Sequence, residues 1–322
     1  MPKPHLALAA ALLIALGVSH FSDRIDPYFL DVLTGVGINI LLAVSLNLVN
    51  GYTGQFSLGH AGFMAVGAYA SAAITVLWGP RLLGEDGGSA AQQAALFLVA
   101  LLAGGAGAAV AGLLVGIPSL RLKGDYLALV TLGFGEIIRV ILQNVDALGG
   151  ALGLNGIPNY TNVAWVYGFV AIAVFTVVCL VHSTFGRGFI ATRDNDVAAE
   201  AVGLNTTRYK IIAFVVGAFF AGVAGGLYGH FKLTITPTGF DFTKSIEIVV
   251  MVILGGMGNT PGVILAAILL TLMPEVLRSM EQYRMILYSL LLVVLMLVRP
   301  QGLFNFDYGA IAARWRRKPG AR

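Results

Sequence analysis

The chain has 322 residues, 57% of them hydrophobic and only 11% charged, with a formal net charge of +4 and a mean hydropathy of +0.84. A soluble domain carries about 25% charged residues, so this composition excludes one, and the apolar residues fall in runs long enough to cross a bilayer. The charge does not mark a nucleic-acid binder: six of the twenty Lys and Arg (Arg299, Arg314, Arg316, Arg317, Lys318, Arg322) lie in the last 24 residues, as in a basic cytosolic tail at a membrane.

In chain order, the first apolar run, 6–18, has the length of a signal-peptide core but meets His20-Phe-Ser-Asp23 instead of a small-residue cleavage site. It reads as a short first membrane helix. Ten membrane segments are expected: 5–21, 28–50, 60–78, 94–117, 126–143, 163–182, 210–230, 244–256, 262–279 and 283–298. The predicted fold is an all-α, polytopic integral membrane helix bundle with glycine-rich breaks, forming one transmembrane domain over 1–322. Segment 244–256 is short for a span, which takes roughly 20 residues, so a half-spanning or tilted element fits it. Gly217, Ala221, Gly225 and Gly229 recur at four-residue spacing, as do Gly112 and Gly116. Small residues so spaced let helix backbones approach closely inside a bundle.

The run Gly51-Tyr-Thr-Gly-Gln-Phe-Ser-Leu-Gly-His-Ala-Gly62 interrupts two apolar segments with four glycines and with Gln55, Ser57 and His60. Inside lipid, irregular backbone is tolerated only against protein or a watery path. Such breaks in a polytopic protein point to a transport route. Gly54, Gln55, Ser57, Gly59 and His60 are therefore candidates for a translocation pathway or gate. The loop 255–262, with Gly255, Gly256 and Gly258, has the same composition and is a second candidate.

Charge counting sets an expected topology. With ten crossings and an inside N-terminus, the inner pieces hold thirteen basic residues: Lys3, Arg121, Lys123, Arg187, Arg193, Arg208, Lys210 and the six of the tail. The outer pieces hold six: Arg24, Arg81, Lys232, Lys244, Arg278 and Arg284. The bias favours both termini in the cytosol, with an inner loop 183–210 and a cytosolic tail 299–322.

No sequence pattern here supports an enzyme. G-x-x-x-x-G-K-[ST], H-E-x-x-H and G-x-S-x-G are all absent, and the five histidines are scattered. The single cysteine, Cys179, excludes an intrachain disulfide and two-cysteine metal motifs. If transport is active, its energy comes from another chain or from an ion gradient. Three charges fall inside membrane segments, where charge is costly and usually paired or functional. Glu136 has Arg139 one turn away, and structural pairing is the leading reading. Glu247, with only Lys244 nearby, is a candidate for a gate or an interhelical bond. A proton- or sodium-driven secondary transporter would use Glu136 or Glu247 as its coupling acid.

In the loop 183–210, Asp194 or Asn195 is placed to cap a short helix, Val197–Val202, that ends at Gly203. Ala198, Ala199 and Ala201 give it a small-residue face suited to docking in a groove, beside Glu200. A solvated loop helix is the plainer reading of the same residues.

This loop resembles the coupling loop of ABC-importer permeases, with Glu200-Ala201 followed by Gly203, although the commonest Ile-x-Leu-Pro ending is missing. The closer similarity is to the M-type permease of branched-chain amino acid importers. It is carried by residues 45–70 (Ser-Leu-Asn-Leu-Val-Asn-Gly-Tyr-Thr-Gly-Gln-Phe-Ser-Leu-Gly-His and onward), by Arg193-Asp-Asn-Asp-Val-Ala-Ala-Glu-Ala-Val-Gly203, and by Gly255-Gly-Met-Gly258. It covers most of 28–302. Urea-type permeases share Gly-Tyr-Thr-Gly and Ser-Leu-Gly-His, so they remain an alternative for the substrate.

The resemblance implies a non-hydrolysing permease subunit in the inner membrane. It implies a sister H-type permease, two ABC ATPase subunits that bind the ATP, and an extracytoplasmic substrate-binding protein. No cofactor or metal of its own is implied, and no nucleic acid. Arg193, Asp194, Asn195, Ala199, Glu200, Ala201 and Gly203 are the implied ATPase-coupling residues.

Overall fold

The computed structural model describes residues 26–84, 88–119 and 124–280, together with residues 286, 289, 290, 293 and 302. The expected segment 5–21, and all but isolated positions of segment 283–298 and of the tail 299–322, lie outside the described residues. Ten helices are named here: α1 (Pro27–Asn47), α2 (His60–Ala73), α3 (Ala90–Ser119), α4 (Asp125–Gln143), α5 (Val163–His182), α6 (Thr184–Asp194), α7 (Asp196–Ala201), α8 (Thr206–Lys232), α9 (Phe242–Gly255) and α10 (Thr260–Val276). A π turn, Ile74–Trp78, and a last turn, Gly79–Leu83, prolong α2. Among the described residues the extended pairing is one isolated bridge, Leu154 with Ile235.

The all-helical bundle stands as expected, but the count of ten spans is not confirmed. Among the described residues six helices are long and apolar enough to cross a membrane: Pro27–Tyr52, His60–Leu83, Ala90–Ser119, Tyr126–Gln143, Val163–His182 and Thr206–Lys232. The expected segments 244–256 and 262–279 form helices of 14 and 17 residues. At about 1.5 Å rise per residue, the first of these covers roughly 21 Å of a hydrocarbon core of about 30 Å.

Helix ends follow the local sequence. Asp26 accepts from Tyr28 N at 2.9 Å and Pro27 opens α1 without wasting an N–H. Asn162 and Asp241 cap α5 and α9 by accepting from Trp165 N and Lys244 N, both at 3.0 Å. α8 ends in Leu233, whose φ of 62° makes it the one non-glycine residue with positive φ among the described residues.

α1 and α8 form the centre. On α8 a side chain at Gly222 would come within 2.8 Å of the Gly104 carbonyl of α3, and one at Gly217 within 2.8 Å of Val49. Gly225 lies against the backbone of Met64 in α2. The glycines of α8, those of the four-residue series and Gly222 beside it, thus serve three neighbours in turn, and close backbone packing replaces the hydrophobic drive that lipid does not supply. α3 and α4 expose Leu114, Leu129, Ile137 and Ile141 outward, as surfaces facing lipid or another chain do.

Two chain reversals enter the bundle instead of passing over it. After α1 a π turn, Leu48–Tyr52, leads into irregular chain that runs back along α1. His60 then meets Ser45, seven residues short of Tyr52, so α2 starts about 10 Å inside the bundle. At the other end α8 gives way to Leu233–Asp241, held by Leu154 N donating to Ile235 O at 2.9 Å and by Tyr69 Oη donating to the same carbonyl at 3.2 Å. α9 then starts inside. The N-termini of α2 and α9 meet where Ala61 N donates to Ser245 Oγ at 3.2 Å. Below, the end of the bundle that carries α6 and α7 is called the loop face.

Candidate translocation and coupling site

The glycine break is held by side chains that match its backbone group by group. Asn50 makes two bonds to Ser57, accepting from its N–H at 3.2 Å and donating to its carbonyl at 3.5 Å. Leu58 N donates to Thr131 Oγ1 of α4 at 3.0 Å. Ser45 Oγ donates to Leu42 O and also lies 2.8 Å from His60 Nε2. The hydroxyl proton being used, the imidazole Nε2–H is the donor, a tautomer assigned from the network. In a bilayer an orphaned amide costs several kcal/mol, which is why a break of seven residues draws polar partners from α1, α4 and α9.

Of the expected pathway residues, Ser57 and His60 are buried and turned into the chain. Gly59 abuts the backbone of Thr131. Gln55 differs: it is buried, and neither its Oε1 nor its Nε2 has a partner among the described residues. It borders a cavity of about 360 Å³ at the loop face, together with Thr53, Gly54, Thr192, Arg193, Asp196 and Lys210.

The second break folds against the first. Gly258 N donates to Asn47 Oδ1 at 2.9 Å, and Tyr52 Oη lies 2.9 Å from Thr260 Oγ1. Gly258 (φ +82°) is a strained place for a side chain, whose Cβ would sit tightly, 3.1 Å from Arg193 Nη1 and 3.2 Å from Gly51 O. Gly255 packs on the backbone of Val263, and Gly256 accepts from Asn259 N at 3.0 Å. Arg193 closes the cluster. Its Nη1 reaches Gly51 O at 3.5 Å, its Nε and Nη2 reach Asp194 Oδ1 at 3.2 and 3.1 Å, and its stem fills the space beside Gly54 (φ +67°). The two glycine breaks and the root of the loop, which the sequence treats as three motifs, are one assembly.

Asn195 is the helix cap of α7, accepting from Val197 N at 3.0 Å and Ala198 N at 3.1 Å. Gly203 (φ +88°) ends the turn, donating to Glu200 O at 2.9 Å. The helix runs Asp196–Ala201, one residue earlier at each end than expected. The face it presents also differs. Ala199 is buried within the chain, while Val197 and Val202 stand out as exposed apolar side chains beside Ala201. Glu200 Oε1 accepts from Thr206 Oγ1 at 2.6 Å. An alanine-rich face, read from composition, missed the outward valines because the cap sets the rotation of so short a helix. Asp196 pairs with Lys210 and ties α7 to α8.

The intramembrane charges are paired. Arg139 Nη2 lies 2.7 Å from Glu136 Oε2 on α4. Lys244 Nζ lies 2.9 Å from Glu247 Oε2 on α9 and 3.5 Å from Asn39 Oδ1 on α1, while Asn39 Nδ2 donates to Thr271 Oγ1 of α10 at 2.9 Å. Lys244, Asn39 and Thr271 border a second cavity, of about 280 Å³, between α1, α8, α9 and α10. Tyr28, Asp31, Lys232 and Glu275, at helix ends away from the loop face, form its mouth. Asn39 and Thr271 carry no sequence signal, because only the fold brings them to Lys244. Among the described residues no group of His, Cys, Asp and Glu is placed to hold a metal ion.

Comparison with known proteins places the chain. Residues 28–299 match the family described as the permease component of the branched-chain amino acid transport system. The high-affinity branched-chain amino acid transport system permease protein LivM of Salmonella typhimurium is 35% identical, over 94% of this chain and 75% of its own length. LivM of Escherichia coli is likewise 35% identical over the same shares. The permease protein LivH of Escherichia coli is 25% identical over 82% of this chain and 90% of its own length. No solved structure matches. The chain is a multi-pass membrane protein and belongs to the family of branched-chain amino acid transport system permease components.

Proposed function

We propose that this chain is the translocating membrane subunit of an ATP-driven importer of branched-chain amino acids. One observation carries the reading. Gln55 and Phe56 border the loop-face cavity, and Met64, eight residues after Phe56, borders the cavity open at the other face. The segment between them is the wall separating two hollows that enter from opposite ends, the arrangement an alternating-access gate needs. In this reading Gly54, Gln55, Ser57, Gly59, His60, Gly255, Gly256 and Gly258 form the gate.

The loop face is cytosolic, both termini are inside, and ten segments cross the inner membrane. α7 docks on an ATPase subunit through Val197, Ala201 and Val202. Arg193 passes its motion to both glycine breaks. A sister H-type permease, a pair of ABC ATPase chains that bind the ATP, and an extracytoplasmic binding protein complete the importer. That relatives named LivM and LivH both match this chain supports a two-permease partnership.

The test is the assembled complex in proteoliposomes. Gly59→Val places a side chain against the Thr131 backbone and abolishes uptake while assembly stays normal. Cysteines at Ser57 and His60 become accessible to water-soluble thiol reagents in a nucleotide-dependent way. Unlabelled cysteines in every state, with substitutions that lower assembly alone, refute the gate. Uptake by this chain alone under an ion gradient refutes the ATP-driven reading.

A further inference from the structure

We propose that the cavity between α1, α8, α9 and α10 is a binding site for a zwitterionic aliphatic amino acid. Lys244, which lines the cavity, takes its carboxylate; Glu247, behind the lining and 2.9 Å from Lys244 Nζ, takes its ammonium group; and Val32, Ile38 and Met64 take its side chain. The inference rests on the transport reading above and assigns the substrate a place within it.

Depth makes the ion pair unusual. Asn39 stands about 18 Å along α1 from Pro27 at roughly 1.5 Å per residue. Lys244 touches Asn39, and the next residue, Ser245, bonds the start of α2 inside the bundle. A pair at such depth is expensive unless it is sealed by protein or meets water or ligand. It is not sealed: the side chains of Lys244 and Glu247 keep 21% and 35% exposure. Lys244 borders the open cavity, with Asn39 Oδ1 3.5 Å from its ammonium group and Asn39 itself held by Thr271.

The chemistry selects the ligand class. A zwitterion replaces each member of the pair with one of its own charges, so net charge in the site does not change. A lone carboxylate or a lone ammonium leaves one protein charge unpaired in a low dielectric, which is heavily penalised. Val32, Ile38 and Met64 line the same cavity and suit a branched hydrocarbon. Its volume of about 280 Å³ falls just below the roughly 300–1,000 Å³ range of drug-sized small-molecule sites, the size for one amino acid.

The experiment uses the assembled importer in proteoliposomes, with Cys179 replaced by serine and Val32→Cys as the reporter. A water-soluble thiol reagent applied on the binding-protein side labels Val32→Cys. Leucine slows labelling about five-fold or more, whereas leucinamide and 4-methylpentanoate, each lacking one charge, do not. Lys244→Met and Glu247→Gln each remove the protection and lower leucine uptake by about ten-fold or more, the loss expected of one charge-assisted contact. The double variant, which leaves no charge unpaired, stays impaired.

Absence of labelling, equal protection by the amide or the acid, or recovery of uptake in the double variant overturns the site; recovery would make the pair a structural clip. Wild-type leucine uptake in the same vesicles tests the transport reading separately. Normal uptake without protection sinks the site alone, and protection without uptake sinks the transport reading alone.

Discussion

Gly258→Ala tests the link between the coupling loop and the glycine breaks. The substitution does two things that can be separated. It asks an alanine to hold φ near +82°, which costs about 1–2 kcal/mol. It also places a methyl group 3.1 Å from Arg193 Nη1 and 3.2 Å from Gly51 O, between the two atoms whose contact joins loop to break. That contact is long, at 3.5 Å, and the Arg193 side chain is 38% exposed. Its worth is therefore discounted from the ~1.5–3 kcal/mol of a good charge-assisted bond to about 1 kcal/mol, or roughly five-fold in rate. If Gly258→Ala acts by evicting Arg193, Arg193→Ala removes the same contact in advance. The double variant is then no worse in uptake than Gly258→Ala alone, and the cycle shows a coupling of about 1 kcal/mol. ATP hydrolysis and leucine uptake are measured together in the reconstituted complex, with assembly checked by co-purification. Each single variant lowers uptake per ATP hydrolysed. Strictly additive losses, or losses confined to assembly, refute the idea that Arg193 carries motion between the segments.

Three further outcomes follow from named contacts. Cysteines at Val197 or Val202 cross-link to an ATPase subunit in the active complex and one at Ala199 does not, because Ala199 is buried in the chain; cross-linking confined to Ala199 would reverse the docking face. Ser245→Ala removes the acceptor of the buried Ala61 N, destabilising the protein by about 1–3 kcal/mol. It shortens the half-life of the detergent-purified complex on heating, and Ser245→Thr, which keeps the hydroxyl, spares it; equal loss in both points to packing instead. Reporter fusions at Gly88 and after Arg322 give opposite answers, outside and inside, and the same answer from both defeats the ten-crossing orientation.

The helical class was legible in composition and run length, because a chain this apolar has few ways to satisfy its backbone in lipid. Family was legible in residues 45–70 and 193–203. Helix ends were legible wherever a side chain caps its own neighbours, as Asn195 does for α7. Span make-up was legible only in part. The run 244–256 reads as a whole membrane segment by hydropathy, yet it covers only the stretch from the junction with α2 to the loop face, the rest of that depth being taken by the irregular chain Leu233–Asp241, and hydropathy does not separate a helix that spans alone from one that irregular chain completes. Asn39, Thr271, Thr131 and Ser245 were equally invisible. Each is an ordinary polar residue in an apolar helix until the fold sets it against Lys244, Leu58 N or Ala61 N.

The two re-entrant stretches bear on how a route would open. α2 and α9 start inside the bundle and run in opposite directions from one junction, where Ala61 N meets Ser245 and His60 meets Ser45. A full-length helix resists local change because each of its backbone bonds depends on its neighbours. A junction of two helix starts does not. Its backbone donors are held singly, by Asn50, Thr131 and Ser245, and each bond can be exchanged for water once a cavity reaches it. The wall between the two cavities is thus made from the part of the bundle with the cheapest backbone to rearrange. Arg193 rests directly on the loop-face end of that wall. A small displacement of α7 therefore reaches the junction through one side chain and two glycine turns, with no need to shift the packed core of α1, α3 and α8.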